Sequence, residues 1–199
     1  MKSKVLVGVA LAIWAVAGPA VASTITYTDF GIGSGTLNGV SFTNSLVEVS
    51  FTGDTSTITN SPLGLYRNIA GTGSVRVAGV GADSLLHPEV FSNQGQKAAG
   101  IGDYFVDASI LGTFNAAFAS YALDAIGPTS GRSFIRSDLT FGTSLGSFQI
   151  SSFAATSTFT AESVPVPLPV LGGGLPGLML AGGGLLGWWR RKRKAKARA

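Results

Sequence analysis

Alternation of apolar and polar residues with a period of two runs through most of this chain, and it predicts strands. Ser23 to Phe30 places Ile25 and Tyr27 on one face and Thr24, Thr26 and Thr28 on the other, which is the pattern of a strand with one wet face. Gly31 to Gly35 is expected to break it. Asn38-Gly39 follows between β-compatible residues. Both tolerate the positive φ of a type I′ turn, so a tight hairpin is predicted there. Leu46 to Thr52 directs Val47, Val49 and Phe51 inward and Glu48 and Ser50 outward; Gly53-Asp54 ends it, and Thr55 to Thr59 is expected to begin another strand.

Further along, Leu63 to Ala70 and Gly73 to Val80 read as strands on either side of a Gly71-Thr72-Gly73 break, with Val75 and Val77 opposite Arg76. Residues 81 to 104 read as short strands and long loops. Phe105 to Leu111 and Phe118 to Ile126 come next. In the second, a two-turn helix competes, and strand is favoured because the surroundings are strand-like. Leu139 to Gly142 and Gly146 to Thr160 close the body, and a shift of inward parity between Ile150 and Phe153 predicts a β-bulge. About ten short strands with glycine-rich turns predict an all-β fold, a β-sandwich of jelly-roll type.

The two ends break this pattern. Lys2 and Lys4 precede an apolar run, Val5 to Ala17. Gly18-Pro19 interrupts it, and Ala20 and Ala22 supply small residues at the cut positions. This is the layout of a signal peptide, residues 1–22, cleaved after Ala22. The body is then 23–162 and the tail 163–199. A proline-rich knot occupies 164–169. From Val170 to Trp189 there are 20 residues without a charge, about 30 Å of helix, the thickness of a bilayer core. Eight of them are glycine, each a cost to a helix in water; in lipid an unpaired peptide group costs more, so a single transmembrane helix is still predicted. Trp188 and Trp189 suit the headgroup layer, and the basic tip 190–199, beginning Arg190, Arg191, Lys192, Arg193 and Lys194, holds its end on the cytoplasmic side.

The sequence Val166-Pro167-Leu168-Pro169, then a Gly/Leu-rich span, then an Arg/Lys tip, resembles the PEP-CTERM sorting tails of bacteria in their VPLPA variant. Val170 stands where the variant usually has alanine, and the Glu of the Pro-Glu-Pro form is absent, Glu162 lying too far upstream. The resemblance covers about 36 residues. It implies recognition by an exosortase, a membrane-embedded cysteine transpeptidase, with removal of the span near the knot. It also implies a Gram-negative envelope, transient residence in the inner membrane and association with exopolysaccharide.

Charge separates the ends from the middle. The formal charge of +4 comes from the termini; the body holds 5 basic and 10 acidic residues, which excludes a nucleic-acid partner. There is no cysteine, so an exported body rests on its core, with at most an ion to help.

Candidate chemistry in the body is sparse. Asp83, Ser84 and His87 are the residue types of a serine triad, but triads converge from separate segments, so a loop histidine is the better reading. The pairs Gly31/Gly33, Gly79/Gly81 and Gly100/Gly102 lack a phosphate-loop setting and are read as turns. Asp103 and Asp107 are candidate ligands for a structural calcium ion. Tyr66, Tyr104 and Tyr121 are candidates for stacking on sugars, with core packing the commoner fate. No catalytic residue is assigned. The expected role is a structural or adhesive protein of the cell surface or biofilm matrix. The alternatives are a carbohydrate-binding module, a small glycan-active enzyme and a membrane protein whose C-terminal anchor stays in place.

Overall fold

The computed structural model describes residues 23–164. The segments expected to be a signal peptide, a membrane span and a basic tip, and the proline-rich knot beyond Val164, lie outside the described residues. What is described is all-β: thirteen strands in one antiparallel sheet.

The central hairpin joins β1 (Thr24–Leu37) to β2 (Val40–Asp54). Asn38 has φ 53° and Gly39 φ 80°, as the Asn-Gly pair predicts for a type I′ turn. On β2's other edge lies β5 (Gly71–Val77), followed by β6 (Gly81–Ser84). Val47, Val49, Phe51, Val75 and Val77 all point into the core, as their alternation predicts.

The sheet continues from β1 through β13 (Thr156–Ser163) to β10 (Ile126–Ile135), β9 (Ala108–Phe114), β8 (Ala98–Asp103), β7 (Pro88–Asn93), β4 (Leu65–Asn68) and β3 (Thr59–Asn60). It folds over itself, so that β1 and β2 meet β7 and β8 across the interior. Tyr27, Phe51, Phe118 and Phe159 are fully buried between them, with Tyr27–Phe51 and Tyr27–Phe159 centroids 6.2 and 6.3 Å apart. With no disulfide, these rings carry the stability; truncating one typically costs about 3–5 kcal/mol.

Several expectations are corrected. β1 runs straight through Gly31–Gly35. Its far half pairs with β12 (Gly146–Phe153), which itself pairs with β11 (Phe141–Thr143). A Cβ on Gly31 or Gly33 would stand 2.7 or 2.8 Å from the Phe153 ring, so these glycines make room for a neighbour and do not end the strand. Gly71 and Gly73 likewise lie inside β5. The predicted bulge exists: Ser34 pairs with Ser152 and Gly35 with Ile150, leaving Ser151 extra. The closing run, however, is two strands, interrupted at Ala154-Ala155.

Thr55–Thr57 is a 3-10 turn, capped by Asp54, whose carboxylate accepts the Ser56 N–H at 2.7 Å. Tyr104–Asp107 is a turn, so β9 starts only at Ala108. The segment favoured as a strand from Phe118 is instead a 3-10 helix, Ala116–Ser120, followed by an irregular stretch before Ile126. Asn115 caps it, accepting the Ala117 N–H at 2.8 Å. Its residues plug the core: Phe118 meets Phe159 edge to face at 5.6 Å, and Leu123 O accepts the buried Tyr27 hydroxyl at 2.7 Å.

Candidate functional site

The outward face of the β4–β7–β8–β9–β10 layer carries an unusual combination of residues. Strand register aligns Arg67, Phe91, Gly100, Gly112 and Phe134 in one row across five strands. Glu89, Gly102 and Ser109 form the next row, and Asn93, Ala98, Phe114 and Arg132 a third. Every β8 position in these rows is Gly or Ala, so the middle of the face has a low floor. Phe134 lies over Gly112, where an added Cβ would run into its ring, and Phe91 reaches over Gly100. The aromatic series continues, Phe91–Phe134 at 6.2 Å and Phe134–Phe114 at 4.5 Å, and ends with the Arg132 guanidinium 4.6 Å over Phe114.

Beside this series lies a groove of about 180 Å³ lined by Arg67, Glu89, Phe91, Asp107, Ser109 and Phe134, among others. Arg67 is held as a fork. Its Nε donates to Glu89 Oε2 at 2.7 Å, and its Nη2 reaches Glu89 Oε2 at 2.5 Å and Asp107 Oδ1 at 2.9 Å. Glu89 is buried, which pushes its pKa up, against the opposing hydrogen bond and charge of Arg67; Asp107 is largely exposed. The two carboxylates share one nitrogen, so they are no further apart than those two Nη2 distances together. That is the range of a carboxylate pair that cleaves glycosidic bonds, but here the guanidinium fills the gap between them.

Ser109 Oγ is the one buried side-chain polar atom, among the described residues, with no hydrogen-bond partner in the protein. Buried hydroxyls are nearly always paired, and leaving one unpaired costs about 1–3 kcal/mol.

The other polar clusters are internal. Asp29, at 0 % exposure on the core face of β1, accepts from Thr113 Oγ1 at 3.1 Å, and Thr113 in turn shares a 2.5 Å hydrogen bond with Ser157. Asp83, on β6, ties two turns together. It accepts from Asn38 Nδ2 at 2.8 Å, from the Leu145 N–H at 3.0 Å and from Ser144 Oγ. The Ser144 hydrogen bond, with those of Asn38, Thr143 and Leu145, holds its pKa well below the usual carboxylate range.

The sequence-predicted residues fall as follows. Asp83 and His87 engage different neighbours: His87 stacks on Phe105 at 5.0 Å, with Nδ1 4.0 Å from Asp103 Oδ2. Asp103 Oδ1 closes its own turn by accepting from the Phe105 N–H at 2.9 Å, while Asp107 is held by Arg67. No group of three His, Cys, Asp or Glu side chains placed to hold a metal ion occurs among the described residues. Tyr121 is buried, with its hydroxyl on Asp124 O at 2.8 Å; Tyr66 packs partly on the core; Tyr104 stands edge-on to His87. Of the glycine pairs, Gly79/Gly81 is a turn, at φ 80° and 143°, but Gly31/Gly33 and Gly100/Gly102 lie within strands. Ala20, Ala22, Val166, Pro167, Leu168, Pro169 and the run from Arg190 to Lys194 are outside the described residues.

Sequence reasoning missed Arg67, Glu89, Ser109, Phe91 and Phe134. One signal was present: Ala98, Gly100 and Gly102 alternate at period two, which strips one strand face of side chains. No family model matches the chain, and no curated protein or solved structure matches it either.

Proposed function

We propose that the chain is an exported, non-catalytic protein of a Gram-negative cell surface or extracellular matrix, with a structural or adhesive role. Its body is a jelly-roll-like β-sandwich. A signal peptide starts export, and the tail holds the precursor in the inner membrane until an exosortase cuts near Pro167-Leu168-Pro169. The observation that carries this reading is the arrangement of the body's two ends. The start of β1 pairs with the end of β13, Ile25 opposite Ser163, and the Val164 N–H donates to Thr24 O at 2.8 Å. The two ends of the body therefore lie side by side on the central β13–β1 pair, and both address segments continue from there in sequence. In sequence the knot follows the last residue of β13 directly and precedes the uncharged run that starts at Val170, the order an enzyme acting at the membrane surface requires.

The position of Arg67 between Glu89 and Asp107 favours a binding role over glycan hydrolysis, because it ion-pairs with both carboxylates and occupies the space of a scissile bond. Mass spectrometry of the exported protein tests the sorting. The expected mature form begins at Ser23 and lacks Val170–Ala199; an exported form that retains this segment refutes the reading.

A further inference from the structure

We propose that the groove between Arg67, Glu89, Asp107 and Ser109, walled by Phe91 and Phe134, binds a neutral, hydroxyl-rich sugar ring of a glycan chain. This deepens the matrix reading by naming the partner's chemistry; it rests on that reading only for where the glycan is met.

Four features point to this ligand. First, the polar groups are planar and pre-set. Arg67 uses Nε and Nη2 on the two carboxylates, so its Nη1 donors are the ones a ligand takes, and the free carboxylate lone pairs accept hydroxyls. Adjacent ring hydroxyls both donate and accept, which is what a fork beside carboxylates requires. Second, Ser109 lines the groove and its buried Oγ has no partner in the protein, so a rotation of the side chain toward the groove lets a ligand hydroxyl supply one. Third, half-buried Phe91 and Phe134 offer apolar area against the C–H face of a ring while the polar side chains meet its edge. Fourth, charge and size select the ring. One cation faces two carboxylates, so the balance of charge in the groove is negative and an anionic ligand is repelled. A volume of about 180 Å³ is below the ~300 Å³ at which pockets for drug-sized ligands begin, which suits a single ring with the rest of its chain on the open face.

The test is isothermal titration calorimetry on the full chain in detergent, with cellotriose, mannotriose, galactotriose and trigalacturonate as probes. At least one neutral trisaccharide is expected to bind, and trigalacturonate more weakly. Ser109→Ala and Asp107→Asn should each weaken binding by about tenfold or more, with no loss of thermal stability for Ser109→Ala. Arg132→Ala, which removes the cation over Phe114, should leave neutral-sugar binding unchanged. The proposal is overturned if no neutral probe binds, if trigalacturonate binds best, or if both groove variants bind like the parent chain. A chain that keeps its tail on export yet binds these sugars refutes the sorting reading alone; a processed chain that binds none refutes this inference alone.

Discussion

Replacing Asp29 by asparagine turns the buried carboxylate into a measurable pH dependence of folding. Asp29 is enclosed in the core with Thr113, Ser157 and the Phe30 N–H as its hydrogen-bond partners and no cation beside it. Burial pushes its pKa from 3.8 up to about 7, and the three hydrogen bonds oppose that rise without cancelling it. Between these two values the unfolded chain has lost the proton while the folded chain still holds it. Folding stability therefore falls as pH rises, by about 1.4 kcal/mol per pH unit and about 4 kcal/mol in all, and levels off above about pH 7. Asparagine has a similar shape and no proton to lose. Urea denaturation of residues 23–164 and of Asp29→Asn, from about pH 4 to about pH 8, isolates the effect, because every other titrating group, Glu89 included, is common to both. The two should be closest at about pH 4, and the variant should be the more stable by up to about 4 kcal/mol at about pH 8. Parallel curves across the range, or a parent chain that gains on the variant as pH rises, would refute the argument.

The remaining predictions concern single contacts. Ser109→Ala should raise the unfolding free energy by about 1 kcal/mol, read by urea midpoint, since it removes a buried hydroxyl that has no partner in the protein. Gly112→Ala should lower stability by about 1–3 kcal/mol and alter the near-ultraviolet dichroism of the aromatic series, because its Cβ runs into the Phe134 ring. Asp83→Asn should destabilise at neutral pH by loosening the tie to Asn38, Ser144 and Leu145. Asp83's folded pKa is lowered, so its contribution is present above the ordinary carboxylate pKa and disappears as pH falls; the deficit of the variant, followed by thermal melts, should shrink on acidification. Phe118→Ala should cost about 3–5 kcal/mol in the same melts, because the 3-10 segment is held by that ring in the core.

Much of this molecule is local information. Period-two alternation sets the inward faces of β1, β2 and β5; Asn38-Gly39 sets the hairpin turn; the parity shift after Ile150 marks the bulge. These depend on a residue and its near neighbours, and the pleat of a strand repeats every two positions whatever it pairs with. The failures share a cause as well. Glycine reads locally as a breaker, yet Gly31 and Gly33 admit the Phe153 ring from a strand far along the chain. Phe118 and Tyr121 read as strand residues until the core they plug exists.

The candidate site belongs to the tertiary structure entirely. Arg67 meets Asp107 across 40 positions of sequence, and Asp29 meets Thr113 across 84. Only the register of β4, β7, β8, β9 and β10 turns a scatter of Arg, Glu, Ser, Phe and Gly into one face. Register is a cooperative property of the whole sheet, and a carboxylate's chemistry is decided by whether a guanidinium, a hydroxyl or water stands next to it. The chain's own alternation determined that it would build strands and which side of each would be dry; the folded sheet decided which polar groups would meet.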